Sequence, residues 1–218
     1  ILEKMIVHSG TWERQPLPGR FAFKFEVEFG WGPETRLFPD AALKVWEGSL
    51  QVPGHLMGVE KLWNSFGQQI LEWRDDRCDF RLTTHRGTET GKWMGPSQVR
   101  RESLVFEVEG GIDDVLTLTV DGEQYALPVR MLLQGTRIYA QYSQCERRII
   151  KKFGPTPHYR DDFIWHCAFK FRVRRAVPSP AYTLNESFTT TLDAGSQYRL
   201  RVWLKNGDAA WTSPIFCR

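Results

Sequence analysis

The sequence predicts an all-β protein built as an antiparallel β-sandwich. Three observations carry this reading. Apolar residues recur with a period of two in run after run, turn signals such as Asp-Gly, Asn-Gly and Gly-Gly separate the runs, and no long stretch places apolar residues at i, i+3, i+4 and i+7. Many short strands with frequent turns pack as two facing sheets or as a barrel. The pattern leaves jelly-roll and immunoglobulin-like topologies both open.

Residues 1–20 read as an N-terminal arm or first strand, ahead of a single sandwich domain over 21–218. In "FAFKFEVEF", Phe21, Phe23, Phe25, Val27 and Phe29 share one parity, with Lys24, Glu26 and Glu28 on the other. That is a half-buried strand with one wet face. "ALKVWEGSLQV", "RESLVFEVEG", "DVLTLTVDG" and "TRIYAQYSQ" repeat the idea. "CERRIIKKFG" predicts one or two helical turns at most. "DDFIWHCAFKFRVRR" then reads as a strand, with Phe163, Trp165, Cys167, Phe169, Phe171 and Val173 on one face and Lys170, Arg172 and Arg174 on the other. "QYRLRVWLK" and "AAWTSPIFC" close the chain as a hairpin. Asp121-Gly122 and Asn206-Gly207 favour two-residue type I′ turns, because both central residues tolerate positive φ. Trp203 and Trp211 are expected to meet across the last hairpin, and Pro214 marks its edge or a bulge.

Length and composition bound the function. A chain of 218 residues with 41% hydrophobic and 25% charged residues can bury a full core. The formal charge of +3 calls for no nucleic-acid partner. No apolar run approaches the ~20 residues of a membrane helix. The start, "ILEKMIVHSG", has no signal-peptide pattern and no initiator Met, which fits a processed chain or an excised domain. Cys78, Cys145, Cys167 and Cys217 are even in number but show no CxxC spacing. Free buried thiols and up to two disulfides both remain open.

No catalytic constellation stands out. His8, His55, His85, His158 and His166 form no close pair of metal ligands, so neither a metal nor another cofactor is predicted. His166 is expected on a strand, opposite the Trp165 face. Asp75-Asp76, Asp113-Asp114 and Asp161-Asp162 point to opposite faces if on strands, which is no acid/base pair. In loops they read as solvated carboxylates, with calcium binding as the alternative. The sequence has no GxSxG, SxxK, Walker or dinucleotide fingerprint. The basic clusters 147–152 and 172–175 invite an anion-binding reading, against which stands the simpler one of a wet strand face.

Tryptophan is the stronger signal, with nine in the chain. Trp46, Trp165, Trp203 and Trp211 fall within strand-like runs and read as core or near-core. Trp12 in "GTWERQPLPG", Trp31 in "FGWGPE" and Trp93 in "TGKWMGP" are loop-like and held by Gly and Pro. An aromatic plane so held can stack on the apolar face of a sugar ring. Trp93, Trp31 and Trp12 are therefore the candidate ligand-binding residues, the competing reading being that they cap the sandwich core.

The closing segment carries a resemblance. Tyr198, Arg201-Val202, Asn206-Gly207 and Ala210-Trp211-Thr212-Ser213-Pro214-Ile215 resemble the end of the β-sandwich that follows the catalytic domain in large bacterial PHP-type metallohydrolases. "VWEGSLQVPGHLMGVE" is similar to that family's Trp-x-Gly-x-Leu-x-Val strand. The family's metal-binding motifs belong to a preceding domain, so the resemblance implies a fold and an accessory role and transfers no catalytic residue. The expected function is a non-catalytic accessory sandwich with a carbohydrate-binding or adhesive role, extracellular or periplasmic, its partner a glycan or a neighbouring domain of the parent chain. The alternatives are a self-associating subunit of an extracellular layer or filament, with the apolar start as an added strand, and a hydrolase with an unrecognised site.

Overall fold

The computed structural model describes residues 17–33, 35, 37–61, 68–86, 99–155, 161–182, 189, 191–203 and 209–217. Trp12 and Trp93 lie outside the described residues, as does the Asn206-Gly207 turn. The chain forms two compact units, residues 1–183 and residues 184–218.

In the first unit the elements run β1 (Arg20–Trp31), β2 (Leu43–Gln51), β3 (His55–Lys61), β4 (Gln68–Trp73), β5 (Arg77–Arg86), β6 (Val99–Arg100), β7 (Glu102–Gly111), β8 (Val115–Val120) and β9 (Glu123–Pro128). Helix α1 (Val129–Gln134), β10 (Arg137–Ala140), helices α2 (Tyr142–Phe153) and α3 (Asp161–Cys167), β11 (Lys170–Val173) and β12 (Val177–Pro178) follow. One sheet has the order β10-β11-β1-β7-β3, with β12 also on β1; the other has the order β4-β5-β2-β8-β9, with β6 on β5. The two antiparallel sheets pack together as the sandwich that the sequence predicts.

The alternation in β1 sets the core. Phe23, Val27 and Phe29 are fully buried, with Phe21 and Phe25 nearly so. From β7, Leu104, Phe106 and Val108 join them; from the facing sheet come Trp46, Leu50, Phe80, Leu82, Leu116 and Leu118. Aromatic rings tie the layers: Phe29 lies 5.1 Å from Trp46 and 5.9 Å from Phe80, and Phe80 lies 6.0 Å from Phe106. Each buried Phe contributes about 2–3 kcal/mol through lost apolar exposure. The indole N–H of Trp46 donates to Thr84 Oγ1 at 2.8 Å, so its one polar atom is satisfied. Gly48 makes room for this packing: a Cβ there would sit 2.5 Å from the Phe80 ring. The Asp121-Gly122 turn forms as expected. Both residues have positive φ, 49° and 84°, and Val120 pairs with Glu123.

The helices depart from the periodicity reading. α2 runs three turns, not two, because Cys145 and Ile149 give it a buried i, i+4 stripe. Gly154, at φ 80°, ends it, its N–H donating to Ile150 O at 2.8 Å. Residues 161–167 are helical, and the strand begins only at Lys170. Cys167 and Ala168 are buried and Ile164 partly so, an i, i+3, i+4 face that competes with the period-two pattern in the same apolar run. His166 is accordingly an exposed helix residue rather than a strand residue.

In the second unit β13 (Gln197–Tyr198) pairs with β16 (Ile215–Phe216), and β14 (Arg201–Trp203) pairs with β15 (Ala209–Trp211). Trp203 stands opposite Ala209, and Trp211 opposite Arg201, so the two tryptophans are not cross-strand partners. Trp211 is 65% exposed, not near-core. Pro214 falls between β15 and β16. All four cysteines are free: Cys78, Cys145 and Cys167 are buried, and Cys217 is intermediate.

Candidate functional site: an exposed tryptophan corner

Two turns meet at one edge of the sandwich. The 52–54 turn joins β2 to β3, and the 74–76 turn joins β4 to β5. Val52 N–H donates to Asp76 O at 2.9 Å, and Leu56 N–H donates to Asp75 O at 2.5 Å. Within the second turn, Arg74 N–H donates to Arg77 O at 2.7 Å. Gly54 lets the 52–54 turn lie against β7, since a Cβ there would lie 2.0 Å from Glu109 O. The corner is thus fixed through the backbone of both sheets.

Trp73 ends β4 at this corner. It is 51% exposed, yet its indole N–H donates to Leu56 O on β3 at 3.3 Å. The bond anchors one edge of the ring and leaves about half of it to solvent. Trp73 pairs with the buried Cys78, and the register shifts between Ile70 and Glu72. That bulge places Trp73 at the gap between the sheets. Leu71 and Met57 are exposed to a similar degree, 54% and 50%.

Polar groups flank the ring in sequence. His55 Nδ1 and Asp75 Oδ2 are 2.8 Å apart. Arg74 Nε donates to Glu72 Oε1 at 2.8 Å, and Arg77 holds Asp79 at 2.7 Å. These are exposed side-chain contacts that retain further donors and acceptors. An anchored aromatic face, at a corner whose turns also carry the His55–Asp75 pair, offers a sugar a plane for its C–H face and partners for its hydroxyls, whereas Arg77 and Asp79, either side of the Trp73 partner Cys78, alternate to the other face of β5.

Trp31, the one sequence-selected tryptophan among the described residues, has a different setting. Gly30 has φ 139°, and the register of β1 against β11 shifts between Phe29 and Trp31. The bulge takes Trp31 off the core face. Its ring is partly buried, with the guanidinium carbons of Arg101 and Arg172 5.1 and 4.9 Å from its centroid. Beneath them Glu28 accepts hydrogen bonds from Arg101, Arg172 and Arg174. Burial alone would raise the Glu28 carboxyl, but the Arg172 bond and the Arg172 and Arg174 charges outweigh it and hold the group below its ordinary value. This is an ion-pair network on the outer face of a sheet, with its aromatic surface already engaged.

The sequence reading does not single out Trp73. The usable signal was the position of the tryptophan itself, at a strand end next to Asp75-Asp76. Of the paired aspartates, Asp75 faces His55 and Asp113 pairs with Arg130 at 2.7 Å. Asp114 accepts from Gly111 N–H at 2.8 Å. Among the described residues no three His, Cys, Asp or Glu side chains gather as a metal centre. No family model, no curated protein and no solved structure matches the chain.

Proposed function

We propose that this chain is a non-catalytic accessory β-sandwich that binds a carbohydrate at the Trp73 corner. One observation carries the reading: a half-exposed indole held by its own N–H on a backbone carbonyl, at a corner rigid enough to present the ring without a ligand. Preorganisation lowers the cost of binding. The strongly shifted titratable groups support a binding rather than a catalytic role. Cys78, Tyr125 and Tyr182 are all raised mainly by burial; Cys78, which stands opposite Trp73 in the register, is a buried neutral thiol. A neighbouring domain of the parent chain would use the same surface differently, covering the exposed Trp73 ring.

The test is a glycan screen with wild type and Trp73→Ala. Binding of a neutral oligosaccharide that falls at least tenfold in the variant supports the proposal. Unchanged binding sinks it, and concentration-dependent self-association that disappears in the variant moves the assignment to protein docking.

A further inference from the structure

We infer that the cleft between α2 and the β8–β9 turn is a second binding site, specific for an acidic saccharide. The cleft is shallow and open to solvent, has a volume of about 690 Å³, and is lined by Lys44 and Glu47 of β2, by Asp121 of the turn, and by Gln144, Arg147 and Arg148 of α2. The argument lies in how its charges are already used.

Asp121 is committed through both oxygens, and Glu47 through one. Asp121 Oδ2 binds Lys44 Nζ at 2.8 Å and Gln141 Nε2 at 2.9 Å, while Oδ1 accepts from Glu47 N–H at 3.0 Å. Glu47 accepts from Arg81 Nε at 3.0 Å. On the helix side Arg148 lies over the Phe169 ring at 4.9 Å, with Asp40 3.6 Å away. Arg147 is exposed, and so is Lys151 one turn further along; neither has an ion-pair partner among the described residues. Like charges at i, i+4 destabilise a helix. The favourable field at a helix C-terminus accounts for Lys151 and Lys152 but not for Arg147, which sits mid-helix. An anion spanning Arg147 and Lys151, about 6 Å apart along the axis, relieves the repulsion.

The mixed lining selects the ligand. A phosphate backbone would meet Glu47 and Asp121 as well as the cations. A uronic-acid chain that lies in the cleft and runs on along α2 uses both: its carboxylates meet Arg147 in the lining and Lys151 one turn beyond it, and its hydroxyls donate to Glu47 and bond the Gln144 amide, whose own contact with Glu123 is long at 3.5 Å. The proposal shares only its polymer class with the carbohydrate reading of the Trp73 corner.

The experiment titrates an oligogalacturonate and a matched neutral oligomer into wild type, Arg147→Ala/Lys151→Ala, and the charge-matched control Arg130→Ala/Arg137→Ala. All four positions are exposed, so every variant is expected to fold. The α2 variant should lose at least tenfold in affinity for oligogalacturonate, and the control less than twofold. Wild-type affinity should also fall on raising salt. Equal loss in both variants, no loss in the α2 variant, no oligogalacturonate binding, or tighter binding of an RNA homopolymer overturns the assignment. The neutral oligomer reports on Trp73 alone, so either site can fail while the other stands.

Discussion

Glu28 is 5% exposed and receives three guanidiniums, while Glu26, on the same face of β1, is raised by burial despite Ser103 and Arg174. The two therefore link stability to pH in opposite directions. For Glu28 the folded value lies below the unfolded one, so its stabilisation is present above about pH 4.5 and is lost as pH falls through the folded value. For Glu26 the contribution is complete below the ordinary value and lost as pH rises through the folded one. Glu28→Gln should cost about 3 kcal/mol at pH 7, because it leaves three arginines around a buried neutral group. The gap should narrow as pH falls below the ordinary carboxyl value and wild-type Glu28 protonates. Glu26→Gln should change stability by under about 1 kcal/mol at pH 7. Urea melts of the three proteins between pH 3.5 and pH 7 measure both signs. The thiols follow the same logic. Burial pushes Cys78 up to about 12 and Cys145 up to about 11, and the thiolate is the reactive form. Iodoacetamide at pH 8 should alkylate Cys217 first in the native protein, as read by peptide mass spectrometry; early modification of Cys78 would contradict the packing.

At the scale of elements, two glycines separate crowding from freedom. Gly48→Ala would bring its Cβ within 2.7 Å of Thr119 O, a backbone atom of the adjacent strand, as well as onto Phe80. It should cost about 2–3 kcal/mol. Gly135, with nothing within 4 Å and an extended φ of 179°, should accept Ala with little change. Thermal melts of the pair decide this, and equal effects would mean that Phe80 does not cover β2. The alternation of phenylalanines made β1 legible from the sequence, and positive-φ chemistry did the same for the Asp121-Gly122 turn. Both are local signals that the tertiary structure reinforces. α3 was not legible, because Phe163, Trp165 and Cys167 alternate while Ile164, Cys167 and Ala168 form a helical face; which pattern wins is decided by what α2 and the core present to it. Trp31 read as a loop platform, but neither the bulge at Gly30 nor the arginines from residues 101 and 172 that cover it can be seen locally. Trp73 stayed hidden for the same reason: its exposure depends on β3, which supplies the carbonyl that holds it.

For the whole molecule, the two packed sheets predict a far-ultraviolet circular dichroism spectrum dominated by β structure, with helix well below the roughly one-third of an average globular domain. A strongly helical spectrum would contradict the sandwich. The functional account places ligand recognition at the edge of that sandwich, on Trp73, rather than in the core or on the engaged ring of Trp31. Trp73→Ala should therefore cost only about 2 kcal/mol, less than the 3–5 kcal/mol of a buried aromatic, so a binding defect can be read in a folded protein. The most direct measurement is a two-dimensional nitrogen–proton NMR titration of the indole N–H signals with the neutral oligosaccharide found by screening, the Trp73 signal being assigned by its loss in Trp73→Phe. The account predicts that the Trp73 indole signal shifts progressively and saturates, while that of the buried Trp46 stays fixed. A titration in which Trp73 is unmoved while the signal of Trp12, Trp31 or Trp93 shifts would contradict it.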